Sequence, residues 1–230
     1  MGGGAQSQGD FSLHESRCHA DSIHRENRHL QCLALLFSTM AFEVLCALAM
    51  TLTDMEKNFA HLSAERTHHR DQDLGIVACA EALAAARAGN YGVGAVLVGP
   101  NGEIVARGRN AVFYPHFRSD LHAEMVAMNA FEERYPAVEN MRGYTLITSL
   151  EPCPMCMTRL LIAGVQTVKF LAYDELGGMV DQKHLLPVAW KRLWERQDYV
   201  QADVSKSLQR FALDVFSLNL EACRQKLLSR

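Results

Sequence analysis

The sequence predicts an α/β fold from residue 71 to the C-terminus, and three observations support this prediction. Short apolar runs of strand length alternate with longer segments in which apolar residues recur at helical spacing. The turn Gly-Pro-Asn-Gly at 99–102 joins two of the runs as a β-hairpin would. Single helices separate the later strands, which implies parallel pairing through right-handed crossovers.

Each element follows from a local pattern in the sequence. Apolar residues at helical spacing, with glycine or capping residues at the ends, predict three helices: 71–87, 122–135 and 153–163. Short apolar runs predict four strands: 94–98, 104–109, 145–148 and 168–172. Steps of three and four between apolar residues predict one C-terminal amphipathic helix: Leu208, Phe211, Val215, Leu218 and Ala222.

Composition limits the function classes that this chain can have. Its 230 residues are 49% hydrophobic and 21% charged, which is average for a globular protein and excludes a wholly disordered or collagen-like chain. A net charge of −3 argues against a protein whose main activity is to grip duplex nucleic acid by its phosphates. Seven cysteines are too few for a disulfide scaffold, and their number is odd, so reduced thiols and a metal site are the better expectation.

Residues 30–52 form an apolar run that is long enough to cross a bilayer, and we predict that the polar residues 1–29 before it are disordered. A transmembrane helix here would carry Glu43 near its centre, which costs roughly 2.5–3.5 kcal/mol. A signal peptide would have a cationic lead and a cleavage-like Ala-Leu-Ala at 47–49, although the lead is long for that class. A third interpretation is a helix that docks on the core.

A fourth interpretation of this region is a later translation start, at Met50 or Met55. Residues 1–50 contain no lysine, whereas the rest of the chain uses lysine normally. We therefore place residues 1–54 in an N-terminal extension and residues 55–230 in the folded domain. With this division we expect a cytoplasmic location and no stable membrane association.

Two short strings of sequence contain the residues on which the predicted chemistry depends. His-Ala-Glu at 122–124 opens a predicted helix, and Pro-Cys-Pro-Met-Cys at 152–156 joins a strand to the next helix. Cys153 and Cys156 are three residues apart, so on a first helical turn their sulfurs lie on one face. Both strings begin helices, where the helix dipole lowers a cysteine pKa and favours the thiolate that zinc requires.

Together the two strings predict a catalytic rather than a structural zinc site. His122, Cys153 and Cys156 supply three ligands and leave a fourth tetrahedral position open, whereas a structural zinc site uses four protein ligands. Glu124 is two residues from His122 and can serve proton transfer beside the metal. Alone, His-x-Glu is a weak signal and Cys-x-x-Cys also fits a redox pair or two buried thiols. The joint occurrence of His-x-Glu and Pro-Cys-x-x-Cys is the sequence pattern typical of zinc deaminases.

On these strings, residues 71–174 resemble the cytidine/deoxycytidylate deaminase superfamily. The segments 122–125 and 150–156 are most similar to tRNA adenosine deaminases and guanine deaminases, and 93–98 resembles their first strand. The resemblance implies a three-layer fold with a mixed five-stranded sheet between helices. It also implies a Zn²⁺ cofactor held by the three ligands above, Glu124 as the proton shuttle, and Asn110 and Ala123 as substrate-binding residues.

The implied activity is hydrolytic deamination, for which we consider two substrates. The first is a small aminated heterocycle, such as a nucleobase or nucleoside, and the near-neutral charge favours it. The alternative is adenosine in tRNA, as in a tRNA-specific adenosine deaminase. A zinc-stabilised binding module without catalysis is a third hypothesis, but such a module has no use for the Glu124 carboxylate. We further expect a cytoplasmic enzyme that forms a homodimer.

The sequence departs from the tRNA enzymes in three places. Residues 117–121 lack their usual Pro-Thr-Ala-type lead, and the segment 177–198 is longer than expected and holds Trp190 and Trp194. The C-terminal helix mixes basic with acidic residues, which disfavours a tRNA-binding tail: Arg210, Arg224, Lys226, Arg230, Asp214 and Glu221.

Other polar and aromatic residues near these strings have two interpretations each. Asp174 follows a predicted strand and either lines the pocket or caps the next turn. Four aromatic residues either stack on a heterocycle or belong to the core: Phe113, Tyr114, Phe117 and Tyr173. We interpret the remaining cysteines as inert thiols.

Overall fold

A mixed sheet of five strands is the centre of the fold in the computed structural model, which describes residues 51–230. Its strand order is β2-β1-β3-β4-β5, with these bounds: β1 Gly94–Val98, β2 Ile104–Arg109, β3 Thr145–Leu150, β4 Thr167–Ala172 and β5 Asp198–Gln201. Strand β1 pairs antiparallel with both β2 and β3. Strands β3, β4 and β5 pair in parallel. The predicted fold class, a mixed five-stranded sheet between helices, is confirmed.

Helices cover both faces of this sheet. Within residues 51–230 they are α1 Leu52–Ala64, α2 Gln72–Arg87, α3 Ala123–Arg134, α4 Pro154–Ala163, α5 Val188–Trp194, α6 Lys206–Ser217 and α7 Leu220–Leu228, with a 3₁₀ turn at Lys183–Leu185. One apolar cluster packs α1, α2 and α6 on the sheet, and a second holds residues of α3, α4 and α5. Successive side chains of a strand point to opposite faces of the sheet, so neighbouring residues belong to different clusters. In β3, Ile147 lies in the first cluster and Leu146 in the second.

Two glycines let helices approach the strand backbone closely. A Cβ on Gly94 would overlap the carbonyl oxygen of Ala78 in α2, and a Cβ on Gly108 would overlap that of Ala123 in α3. Only glycine is therefore tolerated at these two contacts without movement of a helix. The Gly108 contact fixes the first turn of α3 over the sheet, and this turn carries the predicted site residues.

The predicted boundary between residues 54 and 55 falls within the first turn of α1. Thr51 caps this helix: its hydroxyl accepts a hydrogen bond from the Asp54 backbone N–H at 3.2 Å, and the Asp54 carboxylate accepts one from the Thr51 N–H at 3.1 Å. Met55 is fully buried in the first apolar cluster. The helix therefore belongs to the domain, and the spacing of Met55, Phe59 and Leu62 already indicated it.

The predicted single C-terminal helix is two helices, α6 and α7. The chain turns at Asn219, whose side-chain amide donates hydrogen bonds of 2.8 Å to the carbonyl oxygens of Ala86 and Asn90. Apolar spacing continues across the turn, so periodicity alone could not reveal it. Two short elements after β4, namely α5 and β5, were not predicted from local patterns, although the resemblance implied a fifth strand.

Residues 1–29, predicted to be disordered, and nearly all of the apolar run 30–52 lie outside the described residues. The competing interpretations of both segments remain predictions. In the part of the chain that the structure describes, no helix is both long enough and apolar enough to cross a membrane.

Candidate zinc site and substrate pocket

The candidate site lies at one edge of the sheet, where several strand ends meet. Strand β1 runs antiparallel to β2 and β3, so its start lies beside their ends, and β4 ends at the same edge. The residues Val93, Asn110, Glu151 and Asp174 stand at or just beyond these strand ends, and all four line one cavity. Ligand sites in α/β sheets commonly form at the carboxyl ends of strands, and this site follows that rule.

The starts of two helices bring the three predicted metal ligands together. His122 is the N-cap of α3, Cys153 is the N-cap of α4, and Cys156 lies in the first turn of α4. Pro154 occupies the first position of α4, where its fixed φ favours helix initiation. One ligand atom from each of the three residues lies within 4.8 Å of the others, and no other such group of His, Cys, Asp and Glu occurs in residues 51–230.

The donor set and its spacing fit zinc. Two sulfurs and one imidazole nitrogen are ligands that zinc prefers. With Zn–S and Zn–N bonds of about 2.3 and 2.0–2.1 Å, tetrahedral geometry places sulfur and nitrogen about 3.6 Å apart. Cys153 Sγ and His122 Nδ1 are separated by 3.6 Å. The zinc prediction is therefore supported by the geometry as well as by the residue types.

The three ligand side chains shift one another's pKa values in different directions. Hydrogen bonding with Cys156, assisted by His122, lowers the pKa of Cys153 to about 4, although burial opposes this shift. Burial alone would lower the pKa of His122, but its hydrogen bond and charge interaction with Cys153 raise it. The pKa of Cys156 is raised by its hydrogen bond with Cys153 and by burial. Metal binding must therefore displace the proton of Cys156.

Glu124 lies beside the ligand group without being one of its three members. Its Oε2 is 3.3 Å from Cys156 Sγ, and its Oε1 accepts a hydrogen bond from the Thr148 hydroxyl at 3.4 Å. The side chain is buried, and burial raises the pKa of its carboxyl group. A carboxyl group with a raised pKa can both accept and donate a proton near neutral pH.

Two of the ligands, His122 and Cys153, line a cavity of about 260 Å³ together with Glu124. Its walls are formed by the strand ends, the loop after β4 and the C-terminal helices: Tyr91, Val93, Asn110, His122, Glu124, Leu150, Glu151, Cys153, Asp174, Leu176, Gly177, Phe216, Leu220, Arg224 and Leu227. The cavity thus combines apolar walls with a small number of polar groups, as small-molecule sites do.

The two predicted substrate-binding residues have different positions. Asn110 lines the cavity, and its Oδ1 accepts a hydrogen bond from the Val112 N–H at 3.2 Å. Its side-chain NH₂ donates to no other residue in the described part of the chain. Ala123 is fully buried, and its carbonyl oxygen lies against Gly108, so its side chain does not line the cavity. Contact of either residue with a substrate stays a prediction.

Asp174 both lines the cavity and organises the loop after β4. Its Oδ1 accepts hydrogen bonds from the backbone N–H groups of Leu176 and Gly177, at 3.2 and 3.0 Å. Sequence reasoning did not single out Glu151, whose carboxylate accepts from the N–H groups of Asp174 and Val180 at 3.1 and 2.7 Å. Its place directly after a predicted strand was the available signal. These two carboxylates therefore hold the loop that covers one side of the cavity.

The four aromatic residues proposed to stack on a heterocycle do not line the cavity. Phe113 and Phe117 pack on each other with ring centroids 5.8 Å apart, and Phe113 packs on Tyr91 at the same separation. Tyr114 is largely exposed, and Tyr173 packs edge-on against Phe170. Tyr91, which the sequence reasoning did not consider, is the aromatic residue that reaches the cavity together with Phe216.

Comparison with known proteins agrees with this geometry. Residues 68–172 match the sequence model of the cytidine and deoxycytidylate deaminase zinc-binding region. The tRNA-specific adenosine deaminase of Bacillus subtilis is 42% identical over 100 residues, which cover 43% of this chain and 59% of that protein. The tRNA-specific adenosine deaminase of Aquifex aeolicus is 34% identical over 112 residues, which cover 48% of this chain and 72% of that protein.

A solved structure shares the fold. The crystal structure of a variant of NE0047 in complex with 8-azaguanine has a TM-score of 0.50 at 20% identity, and the alignment covers 70% of this chain and 92% of that chain. The chain spans less than two thirds of the Bacillus relative but 72% of the Aquifex relative. The match to the zinc-binding region and the ligand cluster together confirm the zinc prediction. On this sequence match, this fold and this ligand group, the chain belongs to the cytidine and deoxycytidylate deaminase family.

Proposed function

We propose that this chain is a zinc-dependent hydrolytic deaminase. It would convert an exocyclic amine of a nucleobase, nucleoside or related heterocycle to a carbonyl and release ammonia. The observation that carries this proposal is the shared cavity: His122, Cys153 and Glu124 line the same space, and the third ligand, the buried Cys156, lies within 4.8 Å of the other two ligand atoms. A structural zinc site would be closed by a fourth protein ligand, and residues 51–230 supply no fourth histidine, cysteine or carboxylate to this group.

His122, Cys153 and Cys156 would hold the metal at the bottom of the cavity. Zinc in such a site would lower the pKa of water to about 7, which supplies a nucleophile at neutral pH. The starts of α3 and α4 fix the three ligands, since both helices pack on the sheet. Their positive dipole ends further stabilise the thiolates.

Glu124 would move the protons of the reaction. It accepts one proton from water as the water oxygen bonds to the ring carbon that carries the amine, and it passes this proton to the adjacent ring nitrogen. It then accepts the second proton of the water from the bound oxygen and donates it to the leaving nitrogen. The C–N bond breaks, ammonia leaves, and the carbon keeps the oxygen as a carbonyl. The burial that raises the pKa of Glu124 suits a group that must both accept and donate.

Asn110 and the apolar walls would orient the heterocycle. The Asn110 NH₂ group can donate to a ring nitrogen or carbonyl oxygen, while Val93, Leu150 and Phe216 present apolar surface to the ring faces. This arrangement supports a planar, acceptor-bearing substrate. Contact with Ala123 would have to come from its backbone, because its side chain lies outside the cavity.

The alternative function is that of a tRNA-specific adenosine deaminase, which converts adenosine to inosine. The names of the Bacillus and Aquifex relatives favour it. The net charge of −3 favours a small substrate instead, because tRNA recognition depends strongly on phosphate contacts by lysine and arginine. We therefore place the small heterocycle first and tRNA second among the partners.

An ammonia-release screen tests the proposal. Zinc-loaded protein is incubated with guanine, adenine, cytosine, their nucleosides and nucleotides, and an adenosine-containing tRNA anticodon hairpin. We expect ammonia from at least one of them and none from a Glu124→Gln variant that retains zinc. Release from the hairpin alone would select the tRNA function. If zinc-loaded protein releases no ammonia from any of these substrates, the proposed function is contradicted.

We further propose that residues 1–50 are dispensable for the enzyme, which would act in the cytoplasm as a homodimer. The burial of Met55 by α2 and α6 supports a domain that begins at α1, so the truncated protein should begin at Met50 rather than Met55. We expect this protein to equal the full chain in kcat/KM and to elute as a dimer in size-exclusion chromatography with light scattering. Loss of activity on truncation would contradict the proposal that residues 1–50 are dispensable. Recovery of the full chain in cell membranes would contradict the cytoplasmic location, and a monomeric mass would contradict the homodimer.

A further inference from the structure

Arg224 brings a positive charge to the cavity from the C-terminal helix α7. It lines the same space as His122 and Glu124 and is partly buried. Its side chain forms no ion pair or hydrogen bond with any residue from 51 to 230. The two other cations of this helix end are engaged elsewhere: Lys226 lies over the ring of Phe113, and Arg230 lies over that of Phe117. Of these three cations, Arg224 is therefore the one that lines the cavity and has no protein partner within residues 51–230.

Tyr91 supplies a second donor to the cavity that Arg224 lines. Its hydroxyl group forms no hydrogen bond within the described residues, and its side chain lines the cavity. Tyr91 and Arg224 line the same cavity, and burial raises the pKa of Tyr91, so the hydroxyl group stays protonated as a donor at neutral pH. With the NH₂ group of Asn110, the cavity holds three donors that lack a protein acceptor in the described part of the chain.

The acidic side chains of the cavity are already occupied. Glu151 accepts two backbone N–H groups and Asp174 accepts two more, so both carboxylates serve the loop after β4. Glu124 faces Thr148 and Cys156 at the ligand group. Acceptors in this cavity are therefore satisfied by protein donors, whereas the donors Arg224 and Tyr91 are not.

The helix that carries Arg224 is fixed to the body of the domain. Asn219 anchors its start through hydrogen bonds to the carbonyls of Ala86 and Asn90, and the fully buried Cys223 lies 3.8 Å from the carbonyl oxygen of Gly89. These contacts hold the residue directly before Arg224 in place. The backbone position from which the Arg224 side chain reaches the cavity is therefore fixed, and its guanidinium keeps all of its N–H donors for a planar acceptor.

We propose that Arg224, together with Tyr91, binds an anionic oxygen group carried by the substrate. This inference rests on the proposed function and names its substrate class: a small aminated heterocycle that bears a phosphate or a carboxylate, as a mononucleotide does. A guanidinium pairs with such groups through two parallel hydrogen bonds, and pairing is strongest where water is partly excluded. The amine would lie toward Glu124, and the anionic group would lie toward α7.

Substrate pairs that differ only in the anionic group test this assignment. For the base that the protein deaminates best, kcat/KM is measured for the nucleoside and its 5′-monophosphate with the parent protein, Arg224→Gln and Arg224→Lys. Charge-assisted hydrogen bonds of this kind correspond to about 10- to 100-fold in affinity. We expect Arg224→Gln to lose about this factor for the monophosphate, chiefly in KM, and less than about three-fold for the nucleoside. Arg224→Lys should recover part of the loss.

Lys226→Gln is the matched control, because it removes the same charge from the same helix but from a side chain outside the cavity. Its monophosphate preference should equal that of the parent. Equal losses for the nucleoside and the monophosphate in Arg224→Gln, or a loss in Lys226→Gln as large as in Arg224→Gln, would overturn the assignment. So would a loss that is confined to a tRNA hairpin and absent for mononucleotides.

A binding measurement separates failure of this inference from failure of the proposed function. Thermal stabilisation of the zinc-loaded protein is measured with adenosine, guanosine and cytidine and with their 5′-monophosphates, whether or not ammonia is released. We expect the monophosphates to stabilise the parent more than the nucleosides do, and this difference to disappear in Arg224→Gln. If the parent shows no preference for monophosphates, Arg224 does not recognise an anionic group, even if the enzyme deaminates a neutral substrate.

Discussion

The cavity has two ends that are built in different ways. At the zinc end, the ligands and Glu124 come from two short strings at the starts of α3 and α4, both packed on the central sheet. The second part of the lining, called the α7 end below, consists of Phe216, Leu220 and Arg224 from the C-terminal helices, which are held by the anchor at Asn219. The sheet thus fixes the groups that would perform the reaction, and a peripheral helix supplies the groups that would select the substrate.

This comparison predicts that changes at the two ends affect different measurements. Substitutions at the zinc end should abolish metal binding or the chemical step, so that kcat falls. Substitutions at the α7 end should mainly change KM and the order of substrates. A variant of α7 that abolishes turnover of every substrate, with zinc retained, would contradict this division.

The largest expected effect is that of Cys156→Ala. This variant should lose most of its zinc and all measurable deaminase activity, because two ligands cannot hold the metal as three do. Elemental analysis of the purified protein measures the metal content. Cys79→Ala is the matched control, since Cys79 is a fully buried thiol of α2 far from the ligand group in sequence and outside the cavity. Full zinc content in Cys156→Ala would remove the ligand assignment.

The next effect is that of Glu124→Gln, which should keep its zinc and fold but lose activity by about 10²- to 10⁴-fold, the usual contribution of general acid–base catalysis. Single-turnover rates and zinc content measured on the same sample separate the two properties. Glu133→Gln provides the control, because Glu133 is exposed on the same helix. Activity of Glu124→Gln within a few-fold of the parent would mean that another group transfers the protons.

Gly108→Ala and Gly94→Ala compare the two close helix contacts. Both substitutions should destabilise the domain by about 1–3 kcal/mol, because the added methyl group overlaps a helix carbonyl. Only Gly108 lies under α3, so only Gly108→Ala should also reduce zinc affinity and kcat. Urea denaturation gives the free energies of unfolding, and zinc titration gives the affinity. Equal effects of both variants on zinc affinity would show that the contact at Gly108 does not position the ligands.

The smallest effect on turnover is expected for Asn219→Ala. Loss of two hydrogen bonds to the carbonyls of Ala86 and Asn90 should cost about 1–3 kcal/mol of stability and loosen the start of α7. We expect KM to rise several-fold and kcat to change little. Gln225→Ala removes an exposed amide from the same helix and should leave both constants unchanged. A fall in kcat with unchanged KM would place α7 in the chemical step instead.

The sequence predicted the zinc end more completely than the α7 end. The zinc ligands and Glu124 could be predicted from strings 122–124 and 152–156, because ligand spacing and helix starts are local properties of the chain. Arg224 and Tyr91 meet in the cavity through packing between α7 and the segment after α2, and no local pattern encodes that contact. The turn at Asn219 was hidden for the same reason, since its amide bonds to carbonyls more than a hundred residues away.

The measurement that tests the central claim most directly is the fate of water oxygen during the reaction. Zinc-loaded protein is incubated with its best substrate in H₂¹⁸O, and product mass and ammonia are measured together. A hydrolytic deaminase should release one ammonia for each product molecule and place ¹⁸O in the new carbonyl, with no label or ammonia from Glu124→Gln. Ammonia release without ¹⁸O in the product, or equal labelling by Glu124→Gln, would contradict the account.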